Sequence, residues 1–244
     1  MSNSKFVYTA EFIASIDRVI SQERLTRYLA ATKGDISGAL ELYEHNITIS
    51  EALFGFLHGL EVAVRNSIHY VLRRDLATPT WYDGGVALPW STTGEVLSLT
   101  SVMTDMVSEA KAKLQPATTS PGKVVAELTF GFWVNTISRR FHTTLWVPSL
   151  HKAFPHATVA RKIIHLRLEM IRRLRNRIAH HEPILTSHNE VYTGFPDRPH
   201  IALPEMLQCA EWICGETALW LKAQSRYQQA VDLLLEVSRK GMAL

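Results

Sequence analysis

Three side chains with complementary chemistry occur close together in this 244-residue chain: Arg175, Asn176 and His180. On a helix they lie within about one and a half turns of each other. RNA carries its own nucleophile, the 2′-hydroxyl, so its cleavage needs only a base of near-neutral pKa, a cation for the phosphate and groups that fix the geometry. His180 suits the base or acid, Arg175 a two-point phosphate clamp, and Asn176 a group that orients either one. The three groups thus suit phosphodiester cleavage, by a scheme that requires no metal and no cofactor.

The same residues also admit a purely structural interpretation. Arginines on an amphipathic helix usually form a solvated face. His180 and His181, followed by Glu182 and Pro183, would also suit the C-terminus of a helix, where positive charge is favourable. Spacing alone leaves both interpretations open.

Positive charge is concentrated around these residues. The whole chain has 26 Lys+Arg and 23 Asp+Glu, a net charge of +3, but residues 158–182 carry seven basic side chains and two acidic ones. The remainder is slightly acidic, and one basic segment on such a body indicates a localised anion site. We expect RNA-phosphate contacts from basic side chains in the motif segment, and from a second basic pair near an aromatic group. These candidate RNA-binding residues are Arg172, Arg173, Arg177 and His181, and Arg139 and Arg140.

A second polar cluster consists of Glu61, Arg65, Asn66 and His69. Glu61, Arg65 and His69 share one stripe of a helix, and an ion pair between Glu61 and Arg65 is expected at this four-residue spacing. Only three residues separate Arg65 from His69, so the cluster is not a second copy of the motif. It is interpreted either as a polar network that orients the motif helix or as a direct contact to substrate.

Composition places the chain among folded globular proteins. It is 46% apolar and 20% charged, which is too apolar for a disordered chain. Its two cysteines, Cys209 and Cys214, are too few for a zinc site and are expected to be free thiols, as in a reducing cytoplasm. Residues 1–10 do not resemble a signal peptide, and the most apolar stretch, residues 52–64, is too short to span a membrane. We therefore expect a cytoplasmic protein without a membrane partner.

Apolar residues recur at intervals of three and four in almost every segment, and no alternating strand pattern is present. The predicted fold class is therefore all-α. The strongest helix in the first half is predicted from an N-cap at Thr48 or Ser50 to about Leu76. Further helices are predicted at residues 21–32, 39–46, 95–114, 124–138, 143–153, 158–181 and 204–236, with a break near 215 and an aromatic-packed loop at 78–93. The predicted core face of the motif helix consists of Ile163, Leu166, Met170, Leu174 and Ile178.

The motif Arg175-Asn176-x-x-x-His180 resembles the hallmark of HEPN-domain ribonucleases. The longer string LRNRIAHHEPI is similar to the Abi-like (abortive infection) family within them. Three further stretches resemble the same family: ALELYEHNITISEAL, LEVAVRNSIHYVL and AELTFGFWVNTI. Together the four stretches cover most of residues 34–185.

The resemblance implies a HEPN-like helical bundle with additional N-terminal and C-terminal helices. Residues 1–244 then form one domain, with a helical extension at 1–33 and an irregular connection at 186–204. Members of the family dimerise through their motif helices and act as metal-independent endoribonucleases in phage defence or toxin–antitoxin systems. The resemblance thus implies a homodimer with RNA as substrate, an antitoxin as a further partner, Arg175 and His180 as the catalytic pair, and Asn176 as the polar residue beside the arginine.

Two alternatives remain beside the nuclease. The first is a non-catalytic module whose basic groove holds a structured small RNA or an antitoxin. In the second, Arg175 and His180 only build a dimer interface. Cleavage of RNA in EDTA, with His180→Ala as control, separates these alternatives from the nuclease.

Overall fold

The computed structural model of the chain describes residues 8–185 and 199–239. Within these ranges the regular elements are helices, and extended segments contribute a single isolated bridge between Ala87 and Val96. The predicted all-α fold class is confirmed. The α-helices of the described ranges are α1 (Ala10–Ile20), α2 (Gln22–Ala31), α3 (Ile36–Asp75), α4 (Ser101–Ala112), α5 (Pro121–Glu127), α6 (Phe130–Thr136), α7 (Arg161–Ala179), α8 (Pro199–Ile213), α9 (Gly215–Ala223) and α10 (Ser225–Arg239).

The 40-residue helix α3 is the centre of the fold, and α2, α8 and α10 pack along it. The predicted N-cap at Thr48 or Ser50 is wrong, because α3 passes through both residues without a break. The Thr48 hydroxyl donates to the carbonyl of Glu44 at 3.0 Å, and the Ser50 hydroxyl donates to the carbonyl of Asn46 at 2.6 Å. Both hydroxyls therefore bond back to the preceding turn, which is how Ser and Thr are accommodated inside a helix.

By length and composition alone, α3 is also the one helix of the described residues that is apolar enough to cross a membrane. This is weak evidence of insertion, because the core helix of a folded domain meets the same criteria. Here the apolar stripe of α3 packs inside the protein: Leu53, Leu57, Leu60, Val64 and Ile68 are all buried.

The aromatic loop at residues 78–93 packs as the sequence predicts. Trp81 and Tyr82 are fully buried, and the Trp81 ring lies 5.9 Å from Phe132 and 6.0 Å from Trp133, centroid to centroid. The indole N–H of Trp81 donates to Nδ1 of His69 at 3.2 Å. His69 thus anchors the loop to α3 through this hydrogen bond.

Two predicted helices are shorter or divided in the structure. The helix predicted at 124–138 is split into α5 and α6, because Leu128 and Thr129 adopt extended backbone angles. The helix predicted at 95–114 starts only at Ser101, where the Thr100 hydroxyl caps it by accepting from the N–H of Met103. The residues before it pair with residues 86–88 through backbone hydrogen bonds. Tertiary pairing and local capping override the helical periodicity there.

Further corrections concern the other irregular segments. Residues 143–153 form a π-helical turn and a 3-10 turn on either side of Pro148, which cannot donate a backbone hydrogen bond. The last helical region starts at Pro199, and Pro204 lies inside α8, where burial of Ala202 and Leu203 holds the helix together. The predicted break near 215 is confirmed at Cys214. Residues 186–198, most of the predicted irregular connection, lie outside the described ranges.

Candidate functional site

The motif helix α7 is held by its apolar face against α6, α8 and α3. The predicted face is right for the C-terminal half, where Met170, Leu174 and Ile178 are buried. In the N-terminal half the buried residues are Ile164 and Leu168, while the predicted Ile163 and Leu166 are only partly buried. The last two turns of α7 are thereby fixed in orientation, and its motif side chains are positioned by a rigid element.

The C-terminus of α7 is closed by a Schellman motif. The N–H of His181 donates to the carbonyl of Ile178 at 3.0 Å, and the N–H of Glu182 donates to the carbonyl of Arg177 at 2.8 Å. His180 is the C-cap residue, and His181 adopts the left-handed conformation with φ 57°. This position is usually glycine, because a Cβ in that region costs about 1–2 kcal/mol. Both histidines are exposed.

Two residues from other helices hold this turn in place. An Arg24 N–H from α2 donates to the carbonyl of His181. The side-chain oxygen of Asn46 in α3 accepts the backbone N–H groups of Ile184 at 2.7 Å and Leu185 at 3.3 Å. Asn46 is buried, as are Ile184 and Leu185. This role of Asn46 was not predicted from the sequence, in which its one signal is an amide within the apolar stripe of α3.

Arg175 points towards α3, and its Nε lies 2.9 Å from Oε1 of Glu61. The contact therefore directs Arg175 to α3 and not along α7 towards His180. Five residues correspond to about 140° around a helix axis, so the two side chains leave α7 in different directions.

The expected pair between Glu61 and Arg65 is also wrong: Arg65 donates to the Asn66 side chain at 3.3 Å and to the carbonyl of Ala126 at 3.4 Å.

The pair of Arg175 and Glu61 lies in a pocket of about 350 Å³ between α3, α7 and the α5–α6 segment. The pocket contains an excess of positive charge and a wall provided by Trp133. Its charged residues are Glu61, Arg65, Lys113, Glu127 and Arg175, and His58 also lines it. His180 is not among the lining residues. The pocket is suited to an anion such as a phosphate group.

The structure separates the predicted RNA-binding arginines into different environments. Arg172 makes two hydrogen bonds to Glu169, at 2.8 and 2.6 Å, and these raise the pKa of its guanidinium. Arg173 is half-buried.

Arg177 is 9% exposed and donates to the carbonyl of Pro183, which corrects the expectation of a solvent-facing phosphate contact. Arg139 and Arg140 are exposed on a 3-10 turn, apart from the pocket of Arg175.

Within residues 8–185 and 199–239, no group of three or more His, Cys, Asp or Glu side chains is placed to hold a metal ion. The two cysteines are free thiols; Cys209 is buried and Cys214 is partly exposed.

No protein-family model, no curated protein and no solved structure matches the chain. The likeness to the HEPN ribonucleases therefore rests on the sequence stretches quoted above.

Proposed function

We propose that the chain is a metal-independent endoribonuclease of the HEPN type that acts as a toxin or abortive-infection effector. The observation that carries this proposal is the position of Arg175. Its guanidinium lies in an open, net positive pocket, on the same helix end that exposes the imidazole of His180. A phosphate-binding cation and a base of near-neutral pKa are the two groups that RNA cleavage through the 2′-hydroxyl needs.

Each residue of the motif has a role in this proposal. Arg175 binds the scissile phosphate and stabilises the negative charge of the transition state, after its guanidinium exchanges Glu61 for the phosphate. His180 moves the proton of the 2′-hydroxyl, and Asn176 orients the phosphate or the imidazole. Glu61 positions Arg175 in the absence of RNA, and Arg65 adds a second cation at the pocket. The substrate is RNA in the cytoplasm.

The divergence of Arg175 and His180 favours a two-fold homodimer as the active form. In one chain these side chains leave α7 in different directions, so a single copy does not bring them to one phosphate. Two copies whose motif helices face each other provide two arginines and two histidines in one cleft. Light scattering at micromolar concentration is expected to give about twice the chain mass of 27.6 kDa.

A second candidate function is a non-catalytic RNA-binding module that holds a structured small RNA or an antitoxin. The observation that favours it is the ion pair of Arg175 with Glu61, together with the absence of His180 from the pocket lining. In this alternative the positive pocket binds phosphate but no base reaches the 2′-hydroxyl.

The experiment that separates the two functions is incubation of the purified protein with labelled RNA in EDTA. The nuclease leaves a 2′,3′-cyclic phosphate or 3′-phosphate and a 5′-hydroxyl, and a 2′-deoxy nucleotide at the cleaved position blocks the reaction. Arg175→Ala and His180→Ala abolish cleavage with circular dichroism unchanged, while His156→Ala, an exposed histidine elsewhere in the chain, cleaves like the wild type. Equal cleavage by all four proteins excludes the proposed site. Binding without cleavage by the wild type establishes the RNA-binding module instead.

A further inference from the structure

We infer that the groove on the opposite side of the α7 C-terminus binds a nucleobase of the RNA whose phosphate is held at Arg175. The inference rests on the proposed function and assigns a second subsite to it. The groove has a volume of about 800 Å³ and lies between α2, α3 and the end of α7. Its lining residues are Arg24, Tyr43, Ile47, Ser50, Glu51, Phe54, Ile178, Ala179 and His181.

The groove and the pocket of Arg175 lie along one exposed stripe of α3. The residues of this stripe step by four, three, four, three and four: Ile47, Glu51, Phe54, His58, Glu61 and Arg65. The first three line the groove, and the last three line the pocket. At 1.5 Å per residue, Phe54 and Glu61 are about 10 Å apart along the helix, a distance that one or two nucleotides can bridge.

Helix α7 follows the same stripe in the opposite direction. Arg175 contacts Glu61, whereas Ile178, Ala179 and His181 lie beside the earlier residues of α3. His180, the exposed C-cap residue of α7, lies in sequence between Arg175, which lines the pocket, and His181, which lines the groove. An RNA strand laid along α3 passes the C-terminus of α7 between its phosphate at Arg175 and its base in the groove.

The chemistry of the groove matches a nucleobase. Phe54 lines the groove and is 47% exposed, so it offers aromatic surface to a base, and every base has a π-face for stacking. The carboxylate of Glu51, one helical turn away, is an acceptor for an exocyclic amino group, a group that cytosine, adenine and guanine carry and uracil lacks. Arg24 and His181 add groups that recognise the sugar or the adjoining phosphate.

The same residues disfavour an apolar partner in this groove. An apolar helix or a second copy that covered Ile47 and Phe54 would also bury Arg24, Glu51 and His181. Burial of charged groups without new partners is costly. A planar ligand with polar edges covers Phe54 and still satisfies these groups, so the base is the better occupant.

Binding and cleavage of RNA by three variants test the subsite. The substitutions Phe54→Ala and Glu51→Gln alter the groove. Tyr70→Ala is the matched control, because Tyr70 is an aromatic residue of α3 with 64% exposure and lies outside the stripe. Affinity for short single-stranded RNA is measured by fluorescence anisotropy in EDTA, and cleavage of a random-sequence RNA pool is read by sequencing. Circular dichroism and light scattering are recorded for each protein.

We expect Phe54→Ala to weaken RNA binding by about 5- to 150-fold, the range found for loss of one base-stacking residue. We expect Glu51→Gln to change the base preference at one position beside the cleaved bond, and Tyr70→Ala to match the wild type. Wild-type affinity and base preference in both groove variants overturn the subsite and leave the nuclease intact. A change from dimer to monomer in Phe54→Ala also overturns it, since the groove is then an interface between copies. Failure of the wild type to bind RNA refutes the proposed function itself, and the subsite with it.

Discussion

The Nε of Arg175 lies 2.9 Å from Oε1 of Glu61, although 114 residues separate the two in sequence. The contact joins the motif helix α7 to the central helix α3, and both residues line the positive pocket. Both side chains are partly exposed, at 34% and 24%. A phosphate that binds through Nε of Arg175 replaces the carboxylate of Glu61 at that donor, so the ion pair and the RNA compete for it.

The first prediction follows from this competition. Replacement of Glu61 by Gln removes a negative charge from the pocket and frees Arg175, so RNA affinity is expected to rise. Partly exposed ion pairs contribute about 0–1 kcal/mol, so the rise is at most about fivefold, and the unfolding free energy falls by less than about 1 kcal/mol. Affinity is measured by anisotropy at fixed salt, and stability by urea denaturation.

Glu127→Gln is the control for this prediction. Glu127 lines the same pocket and is exposed, so its substitution changes the pocket charge equally but leaves the contact between Glu61 and Arg175 in place. An equal increase in affinity for the two variants would show that only the pocket charge matters. A decrease for Glu61→Gln would mean that Glu61 positions Arg175 for RNA and does not compete with it.

The second prediction concerns Asn46, the only described side chain that accepts from the N–H groups of both Ile184 and Leu185. In Asn46→Ala two buried donors lose their acceptor, at about 1–3 kcal/mol each. We expect a loss of about 2–6 kcal/mol in unfolding free energy and faster amide hydrogen exchange at both residues. Asn66→Ala, on the exposed side of α3, is expected to stay within about 0.5 kcal/mol of the wild type. Unchanged exchange at Ile184 and Leu185 contradicts the role assigned to Asn46.

Much of the fold could be predicted from sequence because most helices have a regular apolar period. The end of α7 before Pro183 and the Asp35 cap of α3, which accepts from the N–H of Ser37 at 3.1 Å, both follow from local rules. The continuity of α3 through Thr48 does not follow from local rules. A threonine hydroxyl either caps a helix or bonds back within it, and the burial of Ile49 and Leu53 by distant segments decides between the two.

The contacts of the candidate site could be predicted from the sequence less well than the fold. Local spacing suggested a pair of Glu61 with Arg65, but the stronger contact for Glu61 comes from α7. The sequence predicts an RNA-phosphate contact for Arg177, but the turn after α7 folds back and buries this residue. Both errors have one cause: partners distant in sequence determine which side of a helix is covered, and periodicity carries no information about them.

The third prediction uses the left-handed backbone of His181. Glycine adopts φ 57° without the Cβ penalty, so His181→Gly is expected to raise the unfolding free energy by about 0.5 kcal/mol, net of the greater freedom of the unfolded chain. His181→Ala keeps the Cβ and is not expected to stabilise. Thermal and urea denaturation of the two variants check this, and a lower stability for the glycine variant than for the alanine variant contradicts it.

The fourth prediction is a pH dependence that originates at His69. Burial lowers the pKa of this imidazole, and Arg73 and Arg65 lower it further. Since the unfolded pKa is about 6.5, the unfolded chain binds the proton more tightly than the folded protein does. The stabilising effect of neutral His69 is therefore complete above about pH 6.5 and is lost as the pH falls towards and through the folded pKa.

His69→Gln tests this dependence, because glutamine offers an acceptor to the indole N–H of Trp81 but does not titrate. We expect the stability of this variant to fall less steeply between pH 7 and pH 5 than that of the wild type. His69→Leu leaves the buried indole N–H without its acceptor and is expected to cost about 1–3 kcal/mol at every pH. Parallel stability curves for the wild type and His69→Gln would assign the acid sensitivity to other groups.

The last prediction separates a structural arginine from one that binds RNA. Arg177 is buried and its guanidinium binds the carbonyl of Pro183, with Glu182 at 3.8 Å. Arg177→Gln is therefore expected to lose about 1–3 kcal/mol of unfolding free energy and to keep the salt dependence of RNA binding. Arg140 is exposed, so Arg140→Gln is expected to keep its stability within about 0.5 kcal/mol of the wild type. Because Arg140 is a predicted phosphate contact, this variant is expected to reduce the slope of log affinity against log salt by about one. The same loss of slope in Arg177→Gln, without loss of stability, would show that Arg177 leaves its buried position to bind RNA.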